Sequence, residues 1–294
     1  MEKFDAYVAI ITCFGSDDQV DYSAVRRQAR RQVDAGNSIL VGDVIGDFAS
    51  LSQAERVRLC AEVIEEVDGK VRVMANIGAP SPYQSILLGR EMASLGVDGV
   101  SVLPPCYVPH TQQDLIRHFT RIADSFELPV YLNTLPTVNF NRIEPSTAAL
   151  LADHPNICGI KESSGNEAQF MDFLQIGKEK SGFDVYVGSD ALVYAGLSEG
   201  AKGCISDLGN ILPKTFHAIC SHFSSGAQEQ AMKSVALFAA LCSDLEALGP
   251  SPQLIKRLLY LVDESIGTGR SPMLEASADL DIRIRAIIEK FAII

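Results

Sequence analysis

Lys161 lies in Gly159-Ile160-Lys161-Glu162-Ser163-Ser164-Gly165-Asn166, at the end of an apolar run that begins at Ile157. On a strand successive side chains alternate faces, so Gly159, Lys161 and Ser163 share one side and Ile160 takes the other. If that side is the interior, the lysine is buried, and a buried ammonium is costly enough that the amine tends to lose its proton. A neutral amine attacks a ketone and forms a Schiff base. The alternative is a salt-bridged or surface lysine at a strand end, the commoner fate of lysines; the small residues around Lys161 weigh against it. Further groups suited to moving protons or holding polar substrate atoms are Asp43, Tyr107, Tyr131, Asn133, Ser189, Asp190, Ser206 and Asp207.

The elements that must position these groups alternate regularly. Strand-like segments are expected at Ala6 to Phe14, Ser38 to Gly42, Val71 to Ile77, Val100 to Leu103, Pro129 to Leu135, Ile157 to Glu162, Asp184 to Val187 and Gly203 to Ser206. Helical patterns follow them at about Tyr22 to Ala35, Ser52 to Glu66, Pro82 to Leu95, Thr111 to Phe126, Ser146 to Asp153, Glu167 to Ile176 and Leu192 to Ser198. Two of these open on capping boxes, Ser52-Gln53-Ala54-Glu55 and Thr111-Gln112-Gln113-Asp114, in which the hydroxyl and the carboxylate satisfy each other's orphan amides. From Pro213 onward the pattern is purely helical, through Gln228 to Leu248, Pro252 to Val262 and Ala276 to Phe291. Parallel strands need helical crossovers, and eight strand-plus-helix repeats point to a closed (β/α)8 TIM barrel. An open doubly wound sheet is the alternative, but no Gly-x-Gly-x-x-Gly follows the first strand. The expected organisation is a barrel over 1–224 and a C-terminal helical extension over 225–294. In such a barrel the active site lies at the C-terminal strand ends, where the groups named above fall.

The chain has 294 residues, 47% of them hydrophobic, enough for a large core. Its net charge of −12 argues against a nucleic-acid surface and against attraction to anionic membranes, both of which call for clustered Lys and Arg. No segment approaches the roughly 18 uninterrupted apolar residues of a membrane span. Met1-Glu2-Lys3-Phe4-Asp5 lacks the basic start and apolar stretch of a signal peptide, so a cytoplasmic location is expected. The cysteines, at 13, 60, 106, 158, 204, 220 and 242, are spread singly with no Cys-x-x-Cys pair, which is free-thiol usage. His217 and His222 lie five apart, and no metal-ligand set is recognisable, so a metal cofactor is not expected.

In order and spacing the chain resembles the dihydrodipicolinate synthase and N-acetylneuraminate lyase superfamily along nearly its whole length. The resemblance is carried by Ile11-Thr12-Cys13-Phe14 with Val20-Asp21, by Gly46-Asp47-Phe48 through Leu51-Ser52 and Glu55-Arg56, and by Pro104-Pro105-Cys106-Tyr107 with Pro109. Gly159-Ile160-Lys161 and the Gly200-Ala201, Gly203, Ile205-Ser206 and Asn210 set complete it. It implies a barrel, usually tetrameric, in which Lys161 forms an imine with a 2-oxo acid. The imine then serves as the electron sink for making or breaking an adjacent carbon–carbon bond, without a cofactor.

Departures from the family pattern bear on the substrate. The Gly-Thr-Thr-Gly-Glu-like stretch that holds the 2-oxo acid's carboxylate aligns with Asp43-Val44-Ile45-Gly46-Asp47, so both hydroxyls are missing. Asp43 would repel a substrate carboxylate if it pointed inward. The tyrosine expected as proton shuttle on the fifth strand is replaced by Asn133, which cannot act as a general acid. Tyr131, two residues deeper on the same face, could rise only through a local bulge. The arginine that grips a second carboxylate in the synthase aligns with Val138, which disfavours dihydrodipicolinate synthesis. Asp190 matches a sugar-hydroxyl ligand of the lyase, while its neighbouring glutamate aligns with Ala191; Tyr107 matches the synthase's relay tyrosine.

The expected function is a metal-independent lyase or aldolase working through a Lys161 imine on a small carbonyl compound, a 2-oxo acid or sugar acid. Tyr107, Asn133 and Tyr131 are the expected catalytic companions, and Asp43, Val44, Ile45, Ser189, Asp190, Ser206 and Asp207 the substrate-binding set. Two alternatives stay open: imine-assisted dehydration of a sugar acid, and a binding or regulatory protein without turnover. No nucleic acid or membrane partner is expected; a homo-oligomer, tetramer or dimer, is.

Overall fold

The computed structural model describes residues 4–136, 139–249, 251–267, 269–271 and 277–293. Its strands are β1 (Asp5–Ala9), β2 (Ser38–Val41), β3 (Val73–Asn76), β4 (Gly99–Val102), β5 (Val130–Thr134), β6 (Ile157–Glu162), β7 (Asp184–Val187) and β8 (Gly203–Ser206). They form a closed barrel in sequence order, and the registered pairs are parallel. Crossovers are made by α1 (Tyr22–Ala35), α2 (Gln53–Val67), α3 (Pro82–Ser94), α4 (Gln112–Ala123), α5 (Pro145–Leu151), α6 (Glu167–Glu179) and α7 (Val193–Ser198). α8 (Pro213–Ser225) follows β8, and α9 (Gln228–Glu246), α10 (Ser251–Val262) and α11 (Ala278–Lys290) extend the chain. This is the (β/α)8 TIM barrel expected from the alternation, with helices appended. All residues of β3, β4 and β8 are buried, as befits strands covered on both faces.

Local chemistry explains the boundaries. Both capping boxes form: Ser52 and Thr111 accept from the amides of Glu55 and Asp114, whose carboxylates accept in return. α1 starts where the Asp21 carboxylate accepts from Ala24 N at 2.9 Å and stops at Gly36, which takes φ 85°. β1 ends at Ala9, well short of the Phe14 expected. Past Ile10, whose N–H reaches Leu40 O, the chain peels away, and Phe14 instead bridges Val20.

Two compact units divide the chain. The first comprises 6–71 and the described residues of 206–293. Within it Phe216 on α8 stacks on Phe238 on α9 with ring centres 5.8 Å apart, and Arg257 on α10 pairs with Asp281 on α11. The second comprises 2–5 and 72–205, and Phe119, Phe170 and Phe173 lie fully buried in it. Among the described residues no helix is long and apolar enough to cross a membrane.

Candidate active site

Lys161 is 4% exposed near the C-terminal end of β6, so the burial expected from its apolar run is present. Its register partners are Asn133 on β5 and Tyr186 on β7. Small residues make the room: a Cβ at Gly188 would lie 2.9 Å from Lys161 Cγ and collide with Ser163 Oγ. Ser163, on the same face one step nearer the strand end, is buried, and no described residue hydrogen-bonds its hydroxyl. The strand end is fixed from both sides, since Ser163 N donates to Thr134 O at 3.0 Å and Gly188 N donates to Glu162 O at 2.7 Å. Glu162 faces the opposite way. Its Oε1 accepts from Ser164 N at 2.9 Å, and burial pushes its carboxyl above the usual range.

Of the expected companions, Asn133 stands beside Lys161, 1% exposed. Tyr131 lies lower. The register does shift between Val130 and Tyr131, yet the ring settles into space left by Gly99 and Gly159 and meets Tyr186 edge-on at 5.8 Å. Tyr186 OH donates to Asp5 at 2.9 Å, and Asp5 pairs with Arg72, so Tyr131 sits with the groups at the strand starts. Burial pushes its phenol up to about 12. Tyr107 is 76% exposed in the loop after β4, at φ 73°. Ser189 and Asp190 open a 3₁₀ turn after β7. Val138, aligned with the synthase's arginine, lies outside the described residues.

In the first unit, Asp43-Val44-Ile45-Gly46-Asp47 forms a turn after β2: Gly46 N donates to Asp43 O at 3.0 Å, and Asp47 N to Val44 O at 3.1 Å. No described residue accepts from the amides of Val44 or Ile45, so the turn presents adjacent N–H groups, the makings of an anion nest. Asp43 is 1% exposed, and its charge works on Arg56 of α2. Burial pulls Arg56 down to about 10 and the Asp43 carboxylate pulls it back up. Asp43 thus has a cation to answer it. Ser206 closes β8 and accepts from Gly209 N at 2.9 Å, while Asp207 O receives the Asn210 side chain at 2.8 Å, so both help shape the turn that follows.

Sequence reasoning missed Lys256. It is 2% exposed on α10, donates to Thr12 O at 3.1 Å and pairs with Asp47. Burial pulls its ammonium down, to about 7, and Cys13 nearby partly opposes that. Also missed were Asn139 and Asn141, whose side-chain amides donate to Pro104 O at 2.8 Å and Pro105 O at 2.7 Å, tying down the loop that carries Tyr107. Among the described residues no group of three or more His, Cys, Asp or Glu side chains could hold a metal ion.

The sequence matches the Dihydrodipicolinate synthetase family over residues 4–291. It is 31% identical to a 4-hydroxy-tetrahydrodipicolinate synthase of Geobacter metallireducens over 288 residues, 98% of each chain. It is 34% identical to one from Mycobacterium leprae over 272 residues, 92% of this chain and 89% of that one. Among solved structures, a chloride-inhibited dihydrodipicolinate synthase of Acinetobacter baumannii complexed with pyruvate superposes with a TM-score of 0.91 at 27% identity, covering 99% of both chains. The chain belongs to the dihydrodipicolinate synthetase family.

Proposed function

We propose that the protein is a Schiff-base lyase in which Lys161 condenses with the ketone of a 2-oxo acid. The observation that carries this reading is Lys161 itself: an amine 4% exposed, on a strand face kept open by Gly188, in a chain of this family. The amine adds to the carbonyl carbon, and loss of water from the carbinolamine leaves an iminium. That cation draws electrons from the adjacent carbon, so a C–H or C–C bond there breaks with its electron pair delocalised as an enamine. The family resemblance gives the carboxylate-holding role to the turn with the Val44 and Ile45 amides, where Arg56 offsets Asp43. Ser163, Ser189 and Asp190 suit a hydroxylated remainder of the substrate, a sugar acid more than a second carboxylate.

Asn133 beside Lys161 favours keeping a second reading, since it donates a hydrogen bond but cannot shuttle a proton. Under that reading the imine assists loss of water from a sugar acid, or the site binds without turnover. Tyr107, exposed beside Val108 in the same loop, fits a homo-oligomer in which this loop is covered. Light scattering gives the oligomer directly. For the chemistry, borohydride is added with a panel of 2-oxo acids, sugar acids and aldehydes and intact mass is read. An adduct that disappears in Lys161→Ala is expected; no adduct with any of them would sink the imine. Product analysis separates C–C cleavage from loss of water, and ligand binding that survives in Lys161→Ala with no product formed marks the non-enzymatic reading.

A further inference from the structure

A buried lysine from the C-terminal helices reaches the turn proposed to hold the carboxylate. Lys256 donates to the Thr12 carbonyl at 3.1 Å, and its ion-pair partner is Asp47, the last residue of that turn. Thr12 works in both directions: its carbonyl receives Lys256 while its hydroxyl donates to Gly46 O at 2.6 Å. Asp47 takes φ 56°, a left-handed conformation unfavourable for a non-glycine residue that persists only where its surroundings hold it. Burial pushes the nearby Cys13 thiol up to about 12, with Lys256 pulling the other way. Arg270 adds a second tie from the same end of the chain, donating to Ser50 O at 2.7 Å. Phe14 lies between the two cations, 5.1 Å from Lys256 Nζ and 4.7 Å from the Arg270 guanidinium.

An apolar side chain of similar length would fill this space without the desolvation cost of an ion pair. The charge therefore has to do something that packing does not. We propose that Lys256 is a positioning residue for the carboxylate-binding turn: by holding Asp47 and Thr12 it fixes Asp43–Asp47 in the conformation that presents the Val44 and Ile45 amides together. This rests on the reading that those amides take the substrate carboxylate. It gives the C-terminal extension a part in substrate affinity, exerted from within the first unit.

The test uses full-length protein with pyruvate as probe, following the rate of borohydride trapping against pyruvate concentration and hydrogen exchange over 43–50. Lys256→Met is expected to raise the half-saturating concentration about tenfold or more, the loss of a charge-assisted contact, while the limiting rate changes far less. Exchange over 43–50 accelerates. The double variant Lys256→Met, Asp47→Asn removes the unpaired buried charge and is expected to regain thermal stability without regaining affinity, which a purely structural role would not produce. If Lys256→Met fails to fold, Asp47→Asn alone is expected to move both readouts in the same direction. Half-saturation and exchange both at wild-type values in Lys256→Met would overturn the proposal, and so would wild-type affinity in the double variant. A wild-type protein that traps no adduct overturns the imine reading instead, and exchange over 43–50 still decides whether Lys256 fixes the turn.

Discussion

Glycine at 188 is what lets a lysine stand where Lys161 does. A methyl group there would press on Lys161 Cγ at 2.9 Å and Glu162 O at 2.8 Å and run into Ser163 Oγ. The backbone oxygen cannot yield, so the side chains must. Gly188→Ala is expected to cost about 1–3 kcal/mol by thermal unfolding, in the range of overpacked cores, and to slow imine trapping about tenfold or more by turning Lys161 off its line. Trapping at the wild-type rate would mean that Lys161 does not depend on this space. The next residue along supplies a pH signature. Glu162 is fully buried and its carboxyl is raised by burial, so the folded chain holds that proton more tightly than the unfolded chain does. The stability it contributes is whole below the usual glutamic range, about 4.3, and is lost as pH rises through the raised value. Glu162→Gln keeps the shape and removes the titration. Urea unfolding is expected to show the variant gaining on wild type between pH 4.5 and 7.5; a constant difference across that span would rule out the shift.

Loops at the strand ends carry the remaining groups, and the one bearing Tyr107 is held by side chains from the loop after β5. Asn141 donates to Pro105 O and Val108 O, each at 2.7 Å, and accepts from His110 N at 2.8 Å. Asn139 accepts from Asn141 N at 3.0 Å, so the two act as one clamp. Asn141→Ala strands two carbonyls and an amide, and is expected to cost about 1–3 kcal/mol with faster hydrogen exchange at His110; unchanged exchange there would show the loop to be held by other means. How much of this could be read from sequence follows the range of the interactions. The capping boxes at Ser52 and Thr111 are local, and both helices begin where the sequence says. The strand-helix alternation reflects the crossover that parallel strands require, so the barrel was legible too. β1 ran too far in the sequence reading because Ile10 to Phe14 stay apolar and buried after the ladder stops. Tyr131 illustrates a different limit: its depth is set by Gly99 and Gly159 on neighbouring strands, which no pattern within its own strand records. Lys256 sits in the helix expected over Pro252 to Val262, but its burial is decided by Thr12 and Asp47, more than 200 positions away.

Across the whole molecule a net charge of −12 means that each carboxylate held by a cation matters to behaviour in acid. In the first unit two of the pairs draw on the chain's far end. Arg270 bonds Glu55 at 2.6 Å and Arg257 bonds Asp281 at 2.5 Å. The hydrogen bond from Arg270 brings Glu55 down to about 2, and that from Arg257 lowers Asp281. A carboxyl with a depressed folded-state value contributes stability that is present above its unfolded value, about 4.3 for Glu, and that disappears as pH falls through the folded value. This is the opposite sign to Glu162, so acid and a rise in pH above the usual glutamic range erode stability through different residues. Because Glu55 is also the reciprocal partner of Ser52, Arg270 ties the C-terminal segment to the start of α2 through a group that already has a structural task. Arg270→Met keeps the apolar stem against Phe14 and removes the hydrogen bonds. Its stability relative to wild type, measured by urea unfolding from pH 6 to pH 2.5, is expected to be lower by a constant amount above about pH 4.5 and to converge on wild type as Glu55 protonates. A deficit that persists undiminished at pH 2.5 would place Arg270's contribution in its bonds to Asp18 O and Ser50 O, which do not titrate, and leave Glu55 without a share in it.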